Sequence, residues 1–212
     1  MKILKNFVVF EGIDGSGTTT QLNLLETFFS QNREKLPLPP FHKTYEPTNS
    51  SIGQMIRSAL RKEVPLEAET VALLFAADRN EHLFGKGGIE ERCGRGELVV
   101  SDRYTPSSLV YQGITCGEEL PLALNRDFPG PELLLFFDID PVNAQDRIAS
   151  RELKEIYEYL DFQIQVRQCY KNLLPALAEQ GVRVETIDAS LPPSEVAREV
   201  WKTMEKLPIF KG

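Results

Sequence analysis

Cysteine is scarce in these 212 residues: only Cys93, Cys116 and Cys169 occur, far apart and in no CxxC pair. That spacing argues against a disulfide framework or a thiolate zinc site and points to a reducing compartment. Histidine is scarcer still. Neither His42 nor His82 has a partner visible in the sequence, so both read as structural or surface side chains. Basic residues are outnumbered, 24 Lys and Arg against 31 Asp and Glu, for a net charge of −7, and they form no run. Such a chain is not expected to bind nucleic acid. An anionic small-molecule partner would need a local positive pocket in an acidic body.

Long apolar runs are missing too, so no segment is expected to span a membrane. The opening MKILKNFVVF has the outline of a secretory leader, but its apolar stretch is short and Glu11 and Asp14 follow at once. A first buried strand is the better expectation, in a soluble, cytoplasmic protein. That compartment leaves the glycosylation pattern at Asn49-Ser50-Ser51 without use. There is no internal repeat, no low-complexity tract and no convincing domain boundary. At 42% hydrophobic and 26% charged residues, the chain suits one domain over residues 1–212.

What is present alternates between strand-like and helix-like patterns. Strands are expected at Phe7–Phe10, His42–Glu46, Leu98–Ser101, Leu133–Phe137 and Val182–Ile187. Helices are expected at Thr19–Ser30, Ile52–Leu60, Leu66–Leu83, Glu118–Asn125, Val142–Ser150, Asp161–Glu179 and Pro192–Met204, with Trp201 packing the last against the sheet. Strands spaced by helices of this length imply an α/β fold: a five-stranded parallel sheet with helices on both faces. Ligands in such folds sit at the carboxyl ends of the strands. Glu11, Glu46, Asp102 and Asp188 fall at those ends.

Gly12-Ile13-Asp14-Gly15-Ser16-Gly17-Thr18-Thr19 has the spacing G-x-x-x-x-G-x-T between an apolar strand and a helix, the context of a phosphate-binding loop. Its glycines let backbone N–H groups turn toward phosphate oxygens, and the helix N-terminus adds partial positive charge. Thr19 is placed to ligate magnesium. The residue normally lysine is Thr18. That lysine bridges the β- and γ-phosphates, so two readings stay open: another cation fills the space, or the protein binds nucleotide without efficient turnover.

Further along, Ser101-Asp102-Arg103-Tyr104 follows the third strand. A carboxylate there can hold hydrated magnesium while the guanidinium clamps phosphate oxygens; the dipeptide alone equally describes a structural ion pair. Phe75 and Arg79 stand i,i+4 on one expected helix face, where ring and guanidinium can grip a nucleobase. Read alone, they equally describe a core Phe and a surface Arg.

Six segments in order, FEGIDGSG-TTQ, EP…GQMIR, LLFAADR, SDRY…SS…YQG, FFDIDP and IDAS, resemble the thymidylate kinase family from Phe10 to Ser190. The resemblance implies the P-loop nucleoside-monophosphate kinase fold with a short lid near residues 147–160. It implies ATP-dependent phosphorylation of dTMP to dTDP in dTTP synthesis, with ATP as donor, Mg2+, and a homodimer. It implies that Gly12, Ile13, Asp14, Gly15, Ser16, Gly17, Thr18 and Thr19 hold ATP phosphates and that Ala189 lies beside adenine. Asp14 would hold the sugar 3′-hydroxyl. Phe75 would stack on thymine, and Arg79 would bond its carbonyl edge. Ser108 and Gln112 would lie near the base, and Tyr111 under the deoxyribose. Glu46 and Pro47 would line the pocket floor. Arg57 and Arg103 would meet the acceptor phosphate, and Asp102 would act through magnesium. With Gly15 and Ser16 uncharged, the lid would supply the missing cation from Arg147 and Arg151, although both also suit a solvated helix face. The other readings are a catalytically weak nucleotide binder and a kinase with a different nucleotide acceptor.

Overall fold

The computed structural model describes residues 1–148, 157 and 159–211. Among these, β1 (Ile3–Gly12), β2 (Phe41–Tyr45), β3 (Leu98–Asp102), β4 (Gly130–Asp138) and β5 (Arg183–Asp188) form one parallel sheet in the order β2-β3-β1-β4-β5. The central strands carry continuous apolar runs: Phe7 to Phe10, Leu98 to Val100 and Leu133 to Leu135 are fully buried. A strand covered by helices on both faces requires that pattern.

The helices are α1 (Thr18–Asn32), α2 (Ser51–Leu60), α3 (Ala68–Phe84), α4 (Ile89–Gly94), α5 (Thr105–Cys116), α6 (Glu119–Asn125), α7 (Pro141–Ile148), α8 (Leu160–Glu179) and α9 (Pro193–Met204). The parallel α/β expectation therefore holds, and each expected strand and helix has its counterpart within a few residues. Two helices are additions. Helix α4 is short and glycine-flanked, and α5 begins Thr105-Pro106-Ser107-Ser108, weak helix formers that read as loop. Pro106 sits in the first turn, where its missing N–H costs nothing.

Trp201 packs against the main core, as expected for the last helix. Its ring lies 4.4 Å from Phe28 of α1 and 5.4 Å from Phe210. Phe29, also beside Trp201, stacks on Phe41 of β2 at 4.4 Å and so links this aromatic group to the sheet.

Strand β1 occupies the middle of the sheet, and its carboxyl end delivers Glu11 and Gly12 directly into the loop before α1. The neighbouring strands end at the same level. Arg103 N donates to Phe10 O, Glu46 N to Asp102 O, and Ala189 N to Asp138 O, at 2.9–3.0 Å. These three bonds stitch the end of β3 to those of β1 and β2, and the end of β5 to that of β4, along one rim. Among the described residues, no helix is long and apolar enough to cross a membrane.

Candidate active site

The loop from Gly12 to Thr18 is tight. Ser16 N donates to Ile13 O at 3.1 Å, and Gly15 and Gly17 adopt φ of +85° and +93°. Side chains rarely adopt that left-handed backbone, which accounts for glycine at both places. Gly17 caps α1 with no side chain bonded to the first-turn amides, so they point, with the helix's partial positive charge, into a cleft of about 660 Å3. The cleft is lined by the loop, Arg57, Arg103, Arg147, Asp102 and Ala189.

At its base Thr19 Oγ1 donates to Asp102 Oδ2 at 2.6 Å. Asp102 Oδ1 and Ser16 Oγ are buried and have no protein partner among the described residues. A carboxylate and a hydroxyl beside phosphate-directed amides are hard oxygen donors, few in number, which suits a magnesium ion that keeps most of its own waters.

Arg147 is carried by the last turn of α7. Its Nη2 donates to Ala189 O at 2.9 Å, and its Nη1 lies 3.8 Å from where a side chain on Gly17 would start. A guanidinium therefore stands over the loop one residue from Thr18. Arg151 and most of the expected 147–160 lid lie outside the described residues.

A second, narrower cleft of about 90 Å3 opens beside the first. It is lined by Asp14, Glu46, Pro47, Phe75, Arg79, Arg103, Ser108, Tyr111 and Gln112, all expected from the sequence, and by Leu60, Tyr104, Ser107 and Tyr157, which are not. Arg57 is the exception among the expected residues. It lines the larger cleft, donates to Thr48 O and Pro47 O, and lies over the Tyr45 ring. Arg79 is no surface residue: it is 1% exposed and donates to Glu46, Ser108 and Asn125. Its ion pair with Glu46 is 2.7 Å long. Gln112 is buried, and its Oε1 has no protein partner among the described residues.

The two clefts share Asp14, Arg103, Glu46 and Pro47. Arg103 Nη2 donates to Asp14 Oδ1, its Nη1 donates to Gly12 O and Ser107 Oγ, and the guanidinium lies over the Tyr111 ring. The Asp-Arg dipeptide is thus no internal ion pair: Asp102 turns to Thr19, and Arg103 crosses to the phosphate loop. Arg103 holds φ +72°, an uncommon conformation for a non-glycine residue, which sends the two adjacent side chains to different tasks.

Several supporting residues escape sequence reasoning. Gln163 of α8 accepts from Asp14 N and donates to Asp14 Oδ2 and Tyr157 O. Asp78, 1% exposed, accepts from Thr48 N, Thr48 Oγ1 and Ser50 Oγ, which anchors the turn after the cis Glu46-Pro47 bond. His82, expected to lack a partner, bridges Glu46 and Thr44 at 3.1 and 2.5 Å. No local pattern marks Gln163. Asp78 and His82 do belong to the AADRNEH stretch around Arg79, at spacings of one and three residues.

Glu11 lies beneath the site and is fully buried. Burial pushes its carboxyl up from 4.5 to about 7, against the opposing pull of Ser107, Arg103, Tyr170 and Tyr104. At the end of β4, Asp138 pairs with Arg167 and Lys171 at 2.6 and 3.0 Å. Partial burial raises its pKa, but the two cations prevail and hold it below the usual carboxylate range.

The family model described as thymidylate kinase matches residues 10–200 of this chain. The chain belongs to the thymidylate kinase family. Its relatives there include a Pyrobaculum aerophilum chain named "Probable thymidylate kinase", 40% identical and covering 97% of this chain and 99% of its own. A Treponema pallidum chain, likewise named for thymidylate kinase, is 45% identical over 82% of this chain and 81% of its own. A Methanococcus maripaludis chain named "Probable thymidylate kinase" is 41% identical over 81% and 78%. The five-stranded parallel sheet is the P-loop nucleoside-monophosphate kinase arrangement of this thymidylate kinase family.

Proposed function

We propose that the chain transfers the γ-phosphoryl group of ATP to dTMP, yielding ADP and dTDP. The observation that carries this reading is the Asp14–Arg103 ion pair, which stands with Glu46 and Pro47 on the border shared by the phosphate-loop cleft and the narrow cleft. A donor in one cleft and an acceptor in the other then meet beside a guanidinium.

The narrow cleft supports thymine as the base. Phe75 offers a ring face, Arg79 a guanidinium, and the Gln112 carbonyl an acceptor for the N3–H that thymine presents. Glu46 and Pro47 form the floor, Ser108 lies near the base, and Tyr111 lies under the deoxyribose. Asp14 takes the 3′-hydroxyl, while Arg103 and Arg57 take the acceptor phosphate. The loop amides, from Gly12 through Thr19, take the ATP phosphates, with adenine beside Ala189. Mg2+ would be held through Thr19 and Asp102 and, when bound, would offset negative charge between the phosphates.

The chain's own contribution is positioning and electrostatics, since in-line transfer needs no covalent intermediate. Arg147, with Arg151, supplies from the lid side the charge that Thr18 lacks. A lid near residues 147–160 keeps water from the γ-phosphate. The whole chain acts as one kinase domain, as a cytoplasmic homodimer. Three free cysteines and the exposed Met55, Leu73 and Phe84 on α2 and α3 support those two points.

A coupled ADP-release assay with dTMP, dUMP, dCMP and dGMP tests the reading. dTMP should support the fastest turnover, and an ADP signal that dTMP does not raise above background defeats it. Thr18 supplies the observation behind a second reading, a nucleotide binder with weak turnover. Tight ATP binding by calorimetry, with negligible ADP release in the presence of dTMP, favours that alternative.

A further inference from the structure

We propose that Glu11 is a positioning residue that sets the Arg103 guanidinium through Ser107, locking the acceptor clamp to the strand that carries the donor loop. The proposal rests on the reading of Arg103 as the acceptor-phosphate clamp.

The geometry is a chain of donors and acceptors with one direction. Glu11 Oε1 accepts from Tyr104 N at 2.9 Å and Ser107 N at 3.3 Å. Its Oε2 accepts from Ser107 Oγ at 2.6 Å and Tyr170 Oη at 2.8 Å. Ser107 Oγ has one proton to give, and Glu11 takes it. The hydroxyl oxygen is then left as an acceptor, and Arg103 Nη1 donates to it at 3.2 Å. Once ionised, as it is above about pH 7, the carboxylate at position 11 dictates which way the Ser107 hydroxyl turns, and the hydroxyl dictates where one arm of Arg103 rests. The other arm rests on Asp14, three residues further along from Glu11.

Glu11 lines neither cleft and is 0% exposed, so it touches no substrate. A buried carboxylate is costly unless it is fully bonded. A simple tie between β1 and α5 could be made by apolar contact, as the rest of β1 makes it. All four bonds instead gather on the Arg103–Ser107 segment and on Tyr170, whose hydroxyl also lies 2.9 Å from Ser107 Oγ. Arg103 holds a left-handed backbone, and the Tyr104 N–H bonded to Glu11 fixes the next peptide directly after it.

Glu11→Gln keeps the shape but brings an amide N–H2 that donates, so the Ser107 proton loses its acceptor and must turn, and the amide competes with Arg103 for the two lone pairs of Ser107 Oγ. Steady-state kinetics with dTMP varied should show kcat/KM for dTMP reduced by about tenfold or more, the size expected for one lost hydrogen bond to a charged group. ATP affinity by calorimetry should stay within about twofold, because the loop amides are untouched. Ser107→Ala, which cuts the chain at its midpoint and leaves the buried carboxylate in place, should reproduce the dTMP-specific loss even if Glu11→Gln folds poorly. Equal losses toward ATP and dTMP in both variants mean a purely structural role and overturn the proposal. A crystal structure of Glu11→Gln in which Arg103 still rests on Ser107 and Asp14 overturns it as well. That arm needs no turnover. If the wild-type chain shows no dTMP-dependent ADP release, the kinase reading fails while the structure still decides whether Glu11 sets Arg103.

Discussion

At the residue scale the central substitution is Thr18, and Arg147 is the cation proposed to stand in for the missing lysine. The guanidinium stands close to Gly17, where a lysine at position 18 would otherwise bring its charge. Arg147→Ala should lower kcat by about 10²-fold or more, the lower reach of what a transition-state arginine contributes. Single-turnover kinetics at saturating ATP and dTMP would check it, and an unchanged rate shifts the role to Arg151. Adding Thr18→Lys to Arg147→Ala should recover part of the loss. In the wild-type background the same lysine meets Arg147 as a like charge and should give no gain. Gln112→Leu removes a buried side-chain carbonyl that lines the narrow cleft and has no protein partner among the described residues. It should raise KM for dTMP about tenfold and leave KM for ATP unchanged.

At the element scale the phosphate loop was readable from residue types, because few sequences other than a nucleotide cradle put Gly12, Gly15, Gly17 and Thr19 between an apolar strand and a helix. Arg79 needed the fold: only the docking of α3 against α5 and α6 shows its guanidinium boxed in by Glu46, Ser108 and Asn125. Helix α5 was hidden by its proline and serines, although that proline is a start signal at a first turn. Gln163 stayed unreadable because it meets Asp14 from 149 residues away, a pairing no local spacing encodes. Gly15 shows how two elements meet. A β-carbon there would lie 2.3 Å from Ala144 O of α7, with φ at +85°. Gly15→Ala must therefore push loop and helix apart. It should lower both the melting temperature and the affinity for ATP measured by calorimetry, while Gly87→Ala, also at positive φ but with open space around it, should leave ATP affinity alone.

For the whole molecule, Glu11 makes stability depend on pH. Its carboxyl titrates at about 7 when folded, against 4.5 as its ordinary value. Between those values the folded chain keeps a proton that the unfolded chain has released. Stability from this group is therefore full below pH 4.5, declines as the pH rises toward 7, and levels off above. The slope is at most ~1.4 kcal/mol per pH unit for one group. Urea denaturation of the wild type and Glu11→Gln across this range should show the wild type losing ground relative to the variant as pH increases. Parallel curves would mean that Glu11 titrates normally.

The contact between Gly15 and Ala144 also bears on how the charge over the loop stays in register. A lysine within a phosphate loop moves with that loop because it belongs to it. Here the cation grows from another segment, yet α7 seats its main chain directly on the loop's backbone three residues before Arg147. The glycine lets the two main chains sit this close, so the proposed counter-charge is held against the cradle by packing, across a gap that no covalent bond spans.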